Sequence, residues 1–587
     1  MALRKTLLGA LVCSAWLAVF ACSMKETPPD AKRAPGGAHA PVSNEANEAS
    51  AIARAGKEYI DLILEISPER ATELGLHRRD TELDDRSASG FAHALEREQK
   101  LLDSLAQRFP NLPKSPSSRT ELAMLKGALE VDIRLKRKRR PLETEPDLYA
   151  SPLNAIFLMT ARDYAPAAQR AKNVLQRLEK IPSVIEAAKK NLKRPPRIWT
   201  EIGIDRARAA NAFLAAQRDF LEKSLPAEHA RIAAALRTAS DAYRDYASFL
   251  QKQVLPRSDG QFAAGRELFA YLLAHDYFLS ESPDELYAMG ERLVSEIDGQ
   301  LSEVARHIDP KAKGWPEVVA RLKSNHPRAA ELVDSYRNEV SRARKFLIEK
   351  GAVEFPPDEE LEVIETPSFL RTTITAAYDQ PPPFDPVTKG FFFVTPIDQA
   401  RSKLEQEQML REHDHGDQVD TAVHEAYPGH HLQLSFARRH PSLIRKVLGP
   451  SIFAEGWALY AEELMAELGY YTDEERLFQL EWALVRAARI LIDVGIHVRG
   501  MSFDDAVSIL TDKVRLERPL ALSEVKRYTQ SPTQPLSYMV VRQMIMKLRE
   551  RCKARDGAGF TLKRFHSDVL ARGTVAPSLL MKEMFGD

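Results

Sequence analysis

Along most of the chain apolar residues recur every three or four positions, the spacing that gathers them on one face of an α-helix. The stretch SPDELYAMGERLVSEIDGQLSEVARHI, which begins at Ser282, is the clearest case. Ser282 stands at the N-cap, Pro283 at the first helical position and Glu285 three residues after the cap, so a capping box opens the helix. Leu286, Met289, Leu293, Ile297, Leu301 and Val304 then form its apolar stripe. The same period predicts helices over 51–66, 89–108, 117–134, 164–191, 204–254, 328–350, 452–468, 474–499, 503–513, 522–528 and 536–553. The pattern breaks at 361–396. There LEVIET, LRTTITAAY and GFFFVTP carry β-branched and aromatic residues around Pro381, Pro382 and Pro383, which predicts a small antiparallel sheet inside a helical protein. Phe391, Phe392 and Phe393 are of core type. The alternative reading of 391–396 is an edge strand beside a cleft, able to hydrogen-bond an extended peptide.

Ahead of residue 51 the helical period is missing. Arg4 and Lys5 precede an apolar stretch from Leu7 to Phe20, too short to span a membrane and of the form of a secretory signal. The stretch closes with Val19-Phe20-Ala21-Cys22, which resembles the lipobox of bacterial lipoproteins. Residues 1–21 therefore read as a lipoprotein signal peptide and Cys22 as the lipidated residue of an exported protein, anchored to the cell envelope on the periplasmic face of the outer membrane. Residues 22–50 are rich in Pro, Ala, Gly and Ser and read as a disordered tether. The body runs over 51–587. The whole chain of 587 residues balances 83 Lys+Arg against 83 Asp+Glu, which argues against a nucleic-acid partner. Of the chain's 3 cysteines only Cys552 lies in the body, so no intrachain disulfide framework is expected there. The basic run from Arg134 to Arg140 reads as a solvated face, with an anionic partner or lipid surface as the second reading.

Chemistry concentrates in one segment. With 15 histidines in the chain, a window of this size should hold fewer than one, yet His413, His415, His424, His430 and His431 all fall between 413 and 431. Within it stands His424-Glu425-Ala426-Tyr427-Pro428-Gly429-His430-His431. The zinc motif HExxH sets two histidines one helical turn apart with the glutamate as base, but here the second position is Pro428. On a straight helix His430 is turned by about 600° from His424, and His431 sits ~10.5 Å along the axis, too far for one ion. A two-residue bulge at Pro428-Gly429 restores His430 to the place of the second histidine. His431 needs a three-residue bulge and remains the alternative ligand. Downstream, Glu455 and Glu462 lie seven residues apart in EGWALYAE, on one helical face. Two histidines and Glu455 would leave a fourth zinc position open for water, with Glu462 orienting a ligand histidine. Trp457 and Tyr460 read as packing.

HEAYPGHHLQ, EGWALYAEEL and PLSYMVVRQMIMKLR resemble the signatures of a large bacterial family of unknown function, rich in lipoproteins, over nearly the whole body. That family is similar to helical gluzincin metallopeptidases such as thimet oligopeptidase, angiotensin-converting enzyme and carboxypeptidase Taq. The resemblance implies a mainly α, two-lobed body with a deep cleft, His424, His430 and Glu455 as ligands to Zn2+, and Glu425 as general base. It also implies Tyr538 as a donor to the tetrahedral oxyanion. Arg542, one turn later, is a candidate for binding a peptide carboxylate. The expected reaction is hydrolysis of short unstructured peptides by water that zinc acidifies and Glu425 deprotonates. Two other classes stay open: a zinc hydrolase of a non-peptide amide or ester, and a tethered binding or scaffold lipoprotein. Glu425 speaks against the last, because a structural zinc site needs no base.

Overall fold

The computed structural model describes residues 44–366, 371, 375–449 and 451–586. The signal segment 1–21 and Cys22 lie outside the described residues. The fold is predominantly α-helical with one small sheet. Helix α1 (Pro283–Ile308) opens with the expected capping box, Ser282 Oγ accepting from the Glu285 amide while Glu285 accepts from the Ser282 amide. Its buried stripe of Leu286, Leu293, Ile297 and Leu301 packs along α6 (Asp473–Val498). That helix is buried on nearly every side, as a central helix of a large body must be.

Between them in sequence come α2 (Leu332–Lys350), β1 (Glu360–Glu365), β2 (Ala376–Asp379), β3 (Lys389–Val394), α3 (His415–Glu425), α4 (His430–Arg439) and α5 (Ser451–Glu467). Beyond α6 lie α7 (Arg518–Gln530) and α8 (Gln534–Asp556). The predicted antiparallel sheet is mixed instead. Its order is β1-β3-β2, with β1 parallel to β3 and β2 antiparallel to it. The chain from β2 turns back through the proline segment to form an antiparallel neighbour, whereas β1 reaches β3 only by a crossover, which makes that pair parallel. Strand 391–396 therefore lies in the middle and offers no free edge. Phe392 and Phe393 are buried, as core residues should be. One side of the sheet rests on α2, while β2 meets α3.

Two further boundaries differ from the sequence pattern. The long helix expected over 204–254 is divided into Arg197–Ala216, Arg218–Ser224 and His229–Phe249. Leu225, which precedes Pro226, is driven out of helical geometry at φ −133° and ψ 63°. Of the stretch read as a tether, residues 22–43 lie outside the described residues, and its last part is helical instead: an Ala- and Glu-rich helix begins at Asn44, and its Glu48 accepts from the Lys114 amide. The basic run lies on a partly solvated face, with Arg137, Lys138 and Arg140 exposed, and much of its charge is paired: Arg134 with Glu267, Lys136 with Glu98 and Asp132, Arg139 with Glu145, and Arg140 with Glu143. Among the described residues no helix is long and apolar enough to cross a membrane.

Candidate metal centre

Helix α3 starts at Asp414, whose carboxylate caps the Asp417 amide, and buries Val419, Ala422 and Val423. It stops after Glu425. The chain then loops through Ala426, a cis Tyr427-Pro428 bond and Gly429 before α4 begins at His430. Two main-chain bonds measure the loop: Gly429 N donates to Val423 O at 3.0 Å and Leu432 N to Ala426 O at 3.3 Å. Each spans six residues where a helix spans four, so two residues are extruded and His430 takes the place one turn beyond His424. Only glycine fits at 429, because a Cβ there would lie 1.9 Å from His424 O. Trp457 fastens the loop from α5, its indole donating to Pro428 O at 2.8 Å.

The predicted residues converge. His424, Glu425 and His430 bring ligand-type atoms within 4.8 Å of one another. The two imidazoles stand perpendicular with centroids 4.8 Å apart. Glu455 of α5 points one oxygen at both, 3.6 Å from His424 Nε2 and 3.3 Å from His430 Nε2. Glu462, fully buried two turns later on the same face, holds His424 Nδ1 at 2.6 Å. Left to the side chains alone, burial lowers the His424 imidazolium, but hydrogen bonds to Glu455 and Glu462 outweigh it and raise it to about 10. At Glu455 burial works upward, and the charge and hydrogen bonds of His430 and His424 overcome it, holding the carboxyl well below the usual range. Glu425 is placed by the sheet: its Oε2 accepts from the Tyr378 amide of β2 at 3.0 Å.

Helix α8 crosses α5 where Gly456 lies against Val541, a contact a Cβ would close to 2.2 Å. This crossing carries Tyr538 toward the cluster. Burial, and after it the negative charge of Glu455, raise the Tyr538 phenol, so it keeps its proton. Gln534 donates to its oxygen at 3.3 Å and the Arg489 guanidinium lies 4.7 Å from its ring centroid. The remaining candidates have partners of their own. Arg542 is ion-paired to Glu463 at 3.1 Å. His413 is buried against the Tyr336 hydroxyl at 3.0 Å and pushed down to about 4 by burial. His431 turns from His430 to Glu359 at 2.6 Å and to the Tyr378 hydroxyl at 3.2 Å. Glu359 and Tyr378 belong to no sequence motif. Nor does Asp420, one turn before His424, whose carboxyl is raised well above its usual range by burial and then by Glu462.

Fold and site together define a predominantly helical protein whose paired histidines and glutamates, delivered by α3, α4 and α5, form a buried cluster of metal-ligand type. The chain belongs to the family described as "Bacterial protein of unknown function (DUF885)", whose model matches residues 68–584. Among curated proteins none matches it. A solved structure of a candidate lipoprotein of unknown function from Shewanella oneidensis is 25% identical, covering 91% of this chain and 99% of its own with a TM-score of 0.77. A second, a candidate lipoprotein from Colwellia psychrerythraea, is 19% identical and shares the fold, covering 92% of this chain and 99% of its own with a TM-score of 0.77. The description of the Shewanella oneidensis protein as a lipoprotein is consistent with the lipobox-like sequence Val19-Phe20-Ala21-Cys22.

Proposed function

We propose that the protein is a zinc-dependent peptidase of the helical gluzincin kind, lipidated at Cys22, held at the periplasmic face of the outer membrane and acting on short unstructured peptides. The observation that carries this reading is the meeting of His424 Nε2 and His430 Nε2 on one oxygen of Glu455, at 3.6 and 3.3 Å, with Glu425 in the same cluster. Donors ~2.0–2.1 Å from a tetrahedral zinc lie about 3.3–3.4 Å from each other, so the set suits the ion in spacing as well as in type. Two imidazoles and one carboxylate leave one coordination position open, as a catalytic site needs.

Bound there, Zn2+ supplies a Lewis acid for the scissile carbonyl and acidifies water toward a pKa of ~7. Glu462 keeps the proton of His424 on Nδ1, so that Nε2 presents its lone pair. Glu425, with Oε2 held by Tyr378, uses its other oxygen to take a proton from the attacking water and returns it to the leaving amine. Tyr538 donates to the carbonyl oxygen as that oxygen becomes negative. The substrate strand pairs with β2. Thr375 O accepts from Thr395 N, so alternate residues of β2 face β3 while Ala376 and Tyr378 turn outward. The Tyr378 amide serves Glu425, which leaves the Ala376 amide and carbonyl for an extended peptide lying in the cleft between helical halves.

Elemental analysis tests the metal: about one zinc per chain is expected, lost in His430→Ala and kept in His431→Ala. Glu425→Gln should keep the zinc while turnover of a responsive peptide from an unstructured library falls ~100-fold or more. Retention of zinc by His430→Ala with loss in His431→Ala would reverse the ligand assignment. Equal turnover by Glu425→Gln and the natural protein would exclude Glu425 as the base.

A further inference from the structure

Glu425 sits at the last turn of α3, where the chain is about to leave helical geometry, and one of its carboxylate oxygens is held by the main-chain amide of Tyr378 at 3.0 Å. The strand that offers this amide is short. β2 spans Ala376–Asp379 and is bonded to β3 along one side only. Asp379 at its end pairs with Arg162 at 2.8 Å, and on the side of the cluster the strand is held by the Tyr378 side chain, which is buried and reaches His431 Nδ1 at 3.2 Å. His431 is itself pinned: its Nε2 lies 2.6 Å from Glu359 Oε2, which also accepts from the Tyr427 hydroxyl at 2.6 Å. Arg344 binds the other oxygen of Glu359 at 3.1 Å. A carboxylate with these partners accepts a hydrogen bond from each, so His431 carries its hydrogen on Nε2 and its Nδ1 accepts from Tyr378.

We infer that His431 and Tyr378 are positioning residues for the base: the chain Glu359–His431–Tyr378 locks β2 to the start of α4 and so sets Glu425 in register with His430. The inference rests on the peptidase reading for its kinetic consequence and on geometry alone for the clamp. His430 and His431 are neighbours on α4 facing different partners, the first turned to Glu455 and the second to the strand that holds Glu425. One backbone segment thereby fixes both a ligand and, through β2, the group that must reach the water. Displacement of a reacting group by about 1 Å is enough to cost two orders of magnitude in rate, so a restraint of this kind matters.

Tyr378→Phe removes the hydroxyl and leaves ring and strand in place. It should keep a full complement of zinc while kcat falls about tenfold, and hydrogen exchange of the 377–379 amides, which are bonded to β3 and Glu425, should quicken by a similar factor. His431→Gln, which keeps a donor for Glu359 but has no acceptor placed for Tyr378, should do the same. In the Glu425→Gln background Tyr378→Phe should cost no further turnover, because its effect runs through Glu425. Natural kcat and natural exchange in Tyr378→Phe would overturn the assignment, as would an equal kinetic loss in the Glu425→Gln background. Exchange is measured independently of turnover, which separates the two claims. A protein with no peptidase activity whose strand loosens in Tyr378→Phe defeats the proposed function and keeps the clamp, whereas an active protein whose strand does not loosen defeats the clamp.

Discussion

Gly429→Ala probes the loop that brings the second histidine home. An alanine Cβ would lie 1.9 Å from His424 O and 2.4 Å from Val423 O, both main-chain atoms at the end of α3 that have no rotamer to escape into. Carbon and carbonyl oxygen tolerate about 3.3 Å at closest, so the loop must retreat by roughly 1.4 Å. That retreat breaks the bond from Gly429 N to Val423 O, worth about 1 kcal/mol net, and with the added steric strain the protein should lose about 2–4 kcal/mol of stability. His430 follows Gly429 directly and moves with it. Metal-ligand distances tolerate only about ±0.2 Å, so zinc affinity should fall at least ~100-fold, equivalent to ~2.7 kcal/mol. Competition against a chelator gives the affinity, and urea unfolding of the zinc-free and zinc-loaded proteins gives the two stabilities. Gly299→Ala is the control, since Gly299 lies within α1 and a Cβ there meets nothing within 4 Å. That change should be neutral or stabilising by up to ~1 kcal/mol. Natural zinc affinity and natural zinc-free stability in Gly429→Ala would refute the account of the loop.

His566 supplies a pH-dependent prediction. Its Nδ1 donates to Ala352 O at 2.7 Å and its Nε2 accepts from the Tyr460 hydroxyl at 2.8 Å, an arrangement made for the neutral ring, and burial is the main cause that pushes it down to about 4. The folded value lies below the unfolded one of ~6.5, so the unfolded chain gains the proton first: the contribution is complete above pH ~6.5 and drains away toward pH ~4 at up to ~1.4 kcal/mol per unit. In His566→Gln the slope of stability against pH over that window should be shallower by that amount in urea titrations, and an unchanged slope would contradict the burial argument. For location, the natural protein should stay with membranes under high salt while Cys22→Ser is released or fails to mature; a mature N-terminus found unmodified elsewhere by mass spectrometry would reduce the segment to a plain export signal.

What the amino-acid order decides alone is whatever depends on neighbours a few residues away. The capping box at Ser282, the stripe of α1, the shared face of Glu455 and Glu462, and the two-residue extrusion at Pro428-Gly429 are all local, governed by helical period and by what proline and glycine permit. Pro226 was equally local, yet the apolar period ran through it and concealed the break in 204–254. The sheet order was beyond reach of such reasoning. Strand propensity marks β1, β2 and β3 but carries nothing about which lies between the others, and β3 became central only because β1 crosses over to its far side. The same limit hid Glu359 and Tyr378, single residues far from the histidines in sequence whose meaning comes from partners on α4 and α3. Arg542 and His431 show it from the other side, since motif position marks both as site residues while their contacts are Glu463 for one and Glu359 and Tyr378 for the other. A helix or a cap is stabilised within its own few turns, whereas the partner of a buried charge is chosen by which distant segment the packed core brings within about 3 Å.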